Sequence, residues 1–238
     1  MRTHIIIRPA LARTALAVLI GGGLSLTAAA SARAEDGVAV QIGLATEYLG
    51  KGVAKSNEEP SVSGSIELTH GGFFASVFAA TAEMSSGADS EILTTLGYRT
   101  AVAGTGVDLM VVNRELPGTR PGGDQNYTEL QADFSRKFGP VSTRFRVNYT
   151  ADGYGATEEA WWVELQGGVS LDRSTRLTAA IADRTADGGA EYVAWNLGVK
   201  RKLTDSFALD LRYYDTDGAD RYGDSYGSRV VAALTFSL

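Results

Sequence analysis

The apolar residues of this chain recur every second position, segment after segment, and that pattern constrains the fold more than any other feature. Val38, Val40, Ile42 and Leu44 alternate with Ala39, Gln41, Gly43 and Ala45. Val141, Thr143, Phe145, Val147 and Tyr149 alternate with Ser142, Arg144, Arg146 and Asn148, and Phe207, Leu209, Leu211 and Tyr213 alternate with Ala208, Asp210, Arg212 and Tyr214. Neighbouring side chains of a β-strand point to opposite faces, so this period gives strands with one apolar and one wet face. Twelve such segments are predicted, at 38–49, 61–70, 73–84, 91–100, 107–116, 126–136, 141–150, 160–171, 176–185, 192–202, 207–215 and 228–238. Each is close to the roughly 9–11 residues that a tilted strand needs to cross a bilayer.

The connections alternate as well. Short turns are expected at Gly71-Gly72, 101–106, Phe138-Gly139-Pro140, 172–175 and 204–206, and long polar loops at 50–60, 85–90, 117–125, 151–159, 186–191 and 216–227. Short turns at one end and long loops at the other are the habit of outer-membrane barrels, and an even strand count leaves both termini at the short-turn end. Aromatic residues bear on which face is outside. Tyr48, Tyr149, Trp161, Trp195 and Tyr213 fall on the apolar face near the long loops, and Tyr98, Phe134, Phe207 and Phe236 near the short turns. Two aromatic bands at opposite ends of one apolar face are what a bilayer's two interfaces select. The other face carries too many charges to be a dry core. The expected fold is therefore all-β: a transmembrane, antiparallel, up-and-down β-barrel of twelve strands.

The N-terminus reads differently. Arg2, Arg8 and Arg13 precede an apolar stretch from about Ala15 to Ala30, followed by Ala32-Arg33-Ala34. Basic start, apolar middle and small-x-small end make a cleavable signal peptide over 1–34, with cleavage after Ala34 and one mature domain over 35–238. The leader removes four arginines and no acids, leaving 18 basic and 28 acidic residues in the mature chain. So acidic a protein is a poor partner for nucleic acid. There is no cysteine, hence no disulfide framework or thiolate metal site.

Little here points to covalent chemistry. The mature chain's one histidine, His70, sits beside the Gly71-Gly72 turn, far from the loops or mid-membrane where a general base would be wanted. Ala103-Gly104-Thr105-Gly106 lacks the strand-to-helix setting of a phosphate loop and reads as a turn. Asp215, Asp217, Asp220 and Asp224 crowd one long loop without the spacing of a calcium site. No catalytic residue, cofactor or metal is expected.

The wet-face charges are more informative. With symmetric hairpins, Arg99 faces Asp108, Asp133 faces Arg144, Asp172 faces Arg176 and Lys200 faces Asp210. Opposed charges on antiparallel strands contribute about 0.2–1 kcal/mol each. Arg146, Arg212, Glu47, Glu67, Glu129 and Glu164 join them on the same surface. These charges are the candidates for lining a lumen, and rings of charge set selectivity in pores. Twelve strands lie between the eight of side-chain-filled barrels and the sixteen or more of open porins, so the lumen should be narrow.

Several stretches together resemble the TorF family of porins. The first hairpin reads EYLGKGVAKSNEEPSVSGSIELTHGGFFASVFAA from Glu47 to Ala80. Tyr48, Gly52, Ser56, Asn57, Pro60, Gly64 and the Gly72-Phe73 pair match the family's pattern there, with Lys51 where an arginine is usual. NYTEL at 126–130, YVAWNLGVKRKL at 192–203 and YYDTD at 213–217 resemble its later strands. The resemblance implies an outer-membrane barrel acting as a channel and implies no particular solute. The expected function is passive passage of ions or small hydrophilic solutes, without enzymatic activity. The alternative is a non-conducting barrel with a structural or surface-binding role. Its partners would be outer-membrane lipid and, during biogenesis, the barrel-assembly machinery, and a homo-oligomer is compatible with either role.

Overall fold

The computed structural model describes residues 36–238, so the signal peptide and its cleavage point lie outside the described residues. From the N-terminus come β1 (Gly37–Ala45), two short strands β2 (Leu49–Gly50) and β3 (Val53–Ala54), then β4 (Ser61–His70), β5 (Phe73–Thr81) and β6 (Ser90–Val102). They are followed by β7 (Thr105–Glu115), β8 (Asn126–Phe138), β9 (Val141–Thr150) and β10 (Ala160–Ser170). The chain ends with β11 (Thr175–Ala186), β12 (Tyr192–Lys202), β13 (Phe207–Thr216) and β14 (Arg229–Ser237). All but β2 and β3 form one closed barrel of twelve antiparallel strands, each paired with its sequence neighbours, and β14 closes it against β1. Closure leaves no free sheet edge.

Short turns and long loops alternate as expected. Gly71 and Gly72 both have positive φ (57° and 90°), the backbone of the tightest hairpin turn, which suits the right-handed twist of the strands it joins. Asp36 ties the start of the described chain to that turn. Its carboxylate accepts from the Gly71 N–H at 2.9 Å and lies 2.7 Å from His70 Nδ1. Those two contacts, the Gly71 amide first, hold the Asp36 carboxyl below its ordinary range.

The barrel is apolar outside and polar inside. Leu165, Leu197 and Leu211 are about half exposed, whereas Glu91, Glu129 and Gln166 are essentially inaccessible. A water-soluble barrel has the reverse arrangement, so this outer wall is built to face hydrocarbon. Ring pairs mark both edges of it. Tyr149 stacks against Trp161 (centroids 4.5 Å apart) and Trp195 against Tyr213 (5.1 Å) at the long-loop end. Phe73 meets Tyr98 (4.8 Å) and Phe207 meets Phe236 (5.0 Å) at the short-turn end. Tyr48 departs from the expected girdle. β1 stops at Ala45, the chain then turns inward, and Tyr48 is buried against Phe78 inside the barrel.

Candidate functional site

Most of the first long loop does not lie in solvent, residues 57–60 at its end being exposed. Residues 46–60 fold back into the mouth of the barrel and pair as the small β2–β3 hairpin, with Leu49 buried against Tyr214 and Val231. Its anchors are ionic. Lys55 Nζ lies 2.5 Å from Glu91 on β6, and Lys51 pairs with Glu129 on β8. Arg114 on β7 lies between, donating to Glu91 at 2.8 Å and to Glu129 at 3.0 Å. The Tyr48 hydroxyl donates to Glu91 as well. Lys55, Glu91, Arg114, Glu129 and Lys51 thus form an unbroken chain of alternating charge, and each carboxylate has two cationic partners. Across the lumen the Tyr192 hydroxyl donates to the Lys51 carbonyl at 2.9 Å. The backbone bends at Lys51 and Gly52, both of positive φ. A Cβ on Gly52 would sit 2.8 Å from that of Ala194, so the hairpin tip touches the far wall only because this residue has no side chain.

Toward the short turns the inner wall carries further pairs. Arg99 lies opposite Asp108, donates to it at 3.0 Å, and also reaches Glu67 at 3.4 Å. Asp133 is held by Arg146 through two bonds of 2.7 and 2.6 Å, a bidentate geometry. The expected Asp133–Arg144 pairing is thus corrected by two residues. β8 continues to Phe138, so the turn is Gly139-Pro140 alone, and Phe138 rather than Arg136 stands opposite Val141. Gly139 has φ of 59° and Pro140 supplies a preset negative φ, which permits so short a turn. Arg144 instead pairs with Glu164 of β10.

Asp172 does not face Arg176 either. It lies in the turn, where its carboxylate accepts from Ser174 N at 2.6 Å and Thr175 N at 2.7 Å, while Arg176 lies opposite Ser170 and bonds the Ser142 hydroxyl. Lys200 does lie opposite Asp210, whose carboxylate accepts from Arg212 at 3.1 Å. Arg212 also donates to Asn196 at 2.7 Å and Thr178 at 2.8 Å. Glu47, at the mouth, is bound by Arg229 at 2.6 Å.

Of the fourteen charges singled out in the sequence, Asp172 lies in an exposed turn and the other thirteen lie on the inner side, and the hairpin cluster adds Lys51, Lys55, Glu91 and Arg114. Arg114 shares the parity of Asp108 on β7 and was findable from it. Glu91, at the loop end of its strand, gave a weaker signal, and the inward course of 46–60 has none in the local pattern.

Unfilled space remains inside, including two regions. One lies under the hairpin tip, between an apolar wall from β5–β7 (Phe74, Phe78, Met110) and a polar wall (Arg146, Asn148, Glu164). The other runs along β13, β14 and β1, from Glu47 at the mouth down to Lys200, Asp210 and Thr235, against small side chains such as Gly43, Ser63 and Ala233. Among the described residues, no group of His, Cys, Asp and Glu is placed to hold a metal ion. Nor is any helix long and apolar enough to cross a membrane, which says nothing of a barrel that crosses with strands.

Residues 29–237 match a family described as bacterial protein of unknown function, Gcw_chp. The chain belongs to the Gcw_chp family. That membership does not establish the TorF resemblance of the strand motifs and does not itself assign an activity. A search of curated proteins finds no sequence match. Among solved structures, the KdgM porin aligns over 84% of this chain and 99% of its own at 8% identity (TM-score 0.56). The COG4313 outer membrane channel from Pseudomonas putida F1 aligns over 90% and 99% at 12% identity (TM-score 0.52). The NanC porin aligns over 84% and 98% at 8% identity (TM-score 0.51). At such identities the likeness is one of fold, and it extends over nearly the full length of both partners.

Proposed function

We propose that this Gcw_chp protein is an outer-membrane channel of the TorF porin kind, passing ions and small hydrophilic solutes passively and without chemistry. The observation that carries the reading is the inverted wall. A closed barrel with an apolar exterior, a charged interior and unfilled space inside it supports a hydrophilic path through an apolar layer. Three structural neighbours called porins or an outer membrane channel support it. So do buried polar atoms of the inner wall that have no protein partner, among them both amide atoms of Gln166 and Nε of Arg144. Leaving such atoms dry costs about 1–3 kcal/mol each, so a water-filled lumen suits them. The constriction in this reading is the level at which Lys51 of the hairpin faces Arg146 and Glu164 across the first space.

The hairpin also favours a second reading, a barrel closed by its own loop that serves the envelope structurally. One experiment separates the two. Folded protein in a planar bilayer is expected to give discrete conductance steps, and Arg144→Ala to alter their size or selectivity. Correctly folded protein that never conducts would favour the closed barrel.

A further inference from the structure

The charges inside this barrel are opposite in balance to those of the protein as a whole. The mature chain has 18 bases and 28 acids, yet below the Glu47–Arg229 pair at the mouth and above the short-turn rim the inner wall and hairpin carry ten cations against seven carboxylates among the described residues. The excess is one-sided. On β4–β8, five carboxylates (Glu67, Glu91, Asp108, Glu129 and Asp133) meet Arg99 and Arg114, and the hairpin's Lys51 and Lys55 bring that side close to neutral. β9–β13 carry six inward cations (Arg144, Arg146, Arg176, Arg184, Lys200 and Arg212) but only two inward carboxylates, Glu164 and Asp210, although Arg146 is bound by Asp133 across the β8–β9 pair.

Within that arc the cations concentrate. Arg176 on β11 stands directly opposite Lys200 on β12, and Lys200 opposite Asp210 on β13, two residues before Arg212. Two cations, Lys200 and Arg212, thus flank one carboxylate, and a third, Arg176, stands beside Lys200 across the β11–β12 pair. Like charges directly opposed destabilise a sheet unless something of opposite sign offsets them. The wall is shaped to hold them nonetheless. A Cβ on Gly168 would come within 2.6 Å of Arg176 Nη2, and one on Gly198 within 2.6 Å of Arg212 Cζ, so each guanidinium lies over a glycine. Nε of Arg176 is buried with no partner in the protein. Lys200, Asp210 and Arg212 line the inner end of the space that runs from the mouth along β14 and β1.

We infer that Arg176, Lys200 and Arg212 form an anion-binding station on the conduction path and make the channel selective for small anions. The inference rests on the channel reading and deepens it. The acidic loops around the mouth (Glu158, Glu159, Asp187, Glu191, Asp217) pull the other way. They are solvent-exposed, however, and at physiological salt their field decays within about 8 Å, whereas charges in a narrow lumen are screened far less. The station weighs more for an ion that takes the space along β14 and β1, whose inner end Lys200 and Arg212 line.

The test is a reversal potential in a KCl gradient, with folded protein in neutral-lipid bilayers. The wild type is expected to prefer chloride. Lys200→Gln and Arg176→Gln should each lower the chloride-to-potassium permeability ratio about three- to tenfold, the scale of one nearby charge at intermediate dielectric. Asp210→Asn should raise the ratio, a gain that damage to the barrel would not produce. Arg173→Gln, exposed on a turn, should leave it unchanged. Cation preference in a conducting wild type, or no gain in Asp210→Asn, would overturn this inference alone. Folded protein that does not conduct would overturn the channel reading and the inference with it.

Discussion

At the scale of single residues, the inner wall tolerates like charges side by side only because each is tied elsewhere. Asp108 and Asp133 are directly opposed across β7 and β8, and Arg99 and Arg146 hold them from either side. Asp172 shows the same economy in a turn. Its carboxylate takes N–H groups from Ser174 and Thr175 and the Ser174 hydroxyl, first among them the Ser174 amide, and these hold its pKa well below the usual carboxylate range. A depressed folded-state pKa stabilises above the unfolded value, near 3.9, and the contribution is lost as pH falls through the folded value. Asp172→Asn is therefore expected to unfold at lower temperature than the wild type at pH 7, with the gap narrowing below about pH 4. Melting curves of both proteins at pH 7 and pH 3 check this, and an equal gap at both would mean that the carboxylate's charge is not what holds the turn.

At the scale of elements, the β2–β3 hairpin is the part whose placement depends most on distant residues. It is held by Glu91 and Glu129 from the opposite wall, and Glu91 is inaccessible to solvent while contacting Lys55, Arg114 and Tyr48. Removing one member of such a buried ion cluster leaves the others uncompensated, at about 3–5 kcal/mol. Glu91→Gln is expected to lose stability on that scale in denaturant titration. A loss under about 1 kcal/mol would mean that lumen water, not the carboxylate, solvates Lys55 and Arg114. This dependence is also why the hairpin was illegible in the sequence. Alternation identifies a strand because its two faces meet different surroundings, and 47–56 is buried or half-buried throughout, so Gly50-Lys51-Gly52 reads as an ordinary polar loop. The barrel strands suffer no such ambiguity, and all twelve were legible. Register was legible only where the turn was. Arg99–Asp108 and Lys200–Asp210 came out right, whereas ending β8 early shifted Asp133 from Arg146 to Arg144.

At the scale of the whole molecule, the decisive property is which face meets hydrocarbon, and it makes depth matter. Leu165 lies midway along β10, half exposed on the outer face, next to the fully enclosed Gln166 of the inner face. Leu171 is equally outward and similarly exposed but sits at the short-turn rim. In water the two positions would tolerate a charge about equally. In a bilayer an arginine at mid-depth costs about 2–4 kcal/mol and one near the interface about 0–1. Leu165→Arg is therefore expected to destabilise the barrel severalfold more than Leu171→Arg when both are unfolded by denaturant from lipid vesicles. Equal costs would place the outer face out of the hydrocarbon and remove the premise on which a conducting lumen depends. A depth-graded difference would leave the charged interior as the hydrophilic route across the membrane, because the apolar wall that surrounds it offers an ion none.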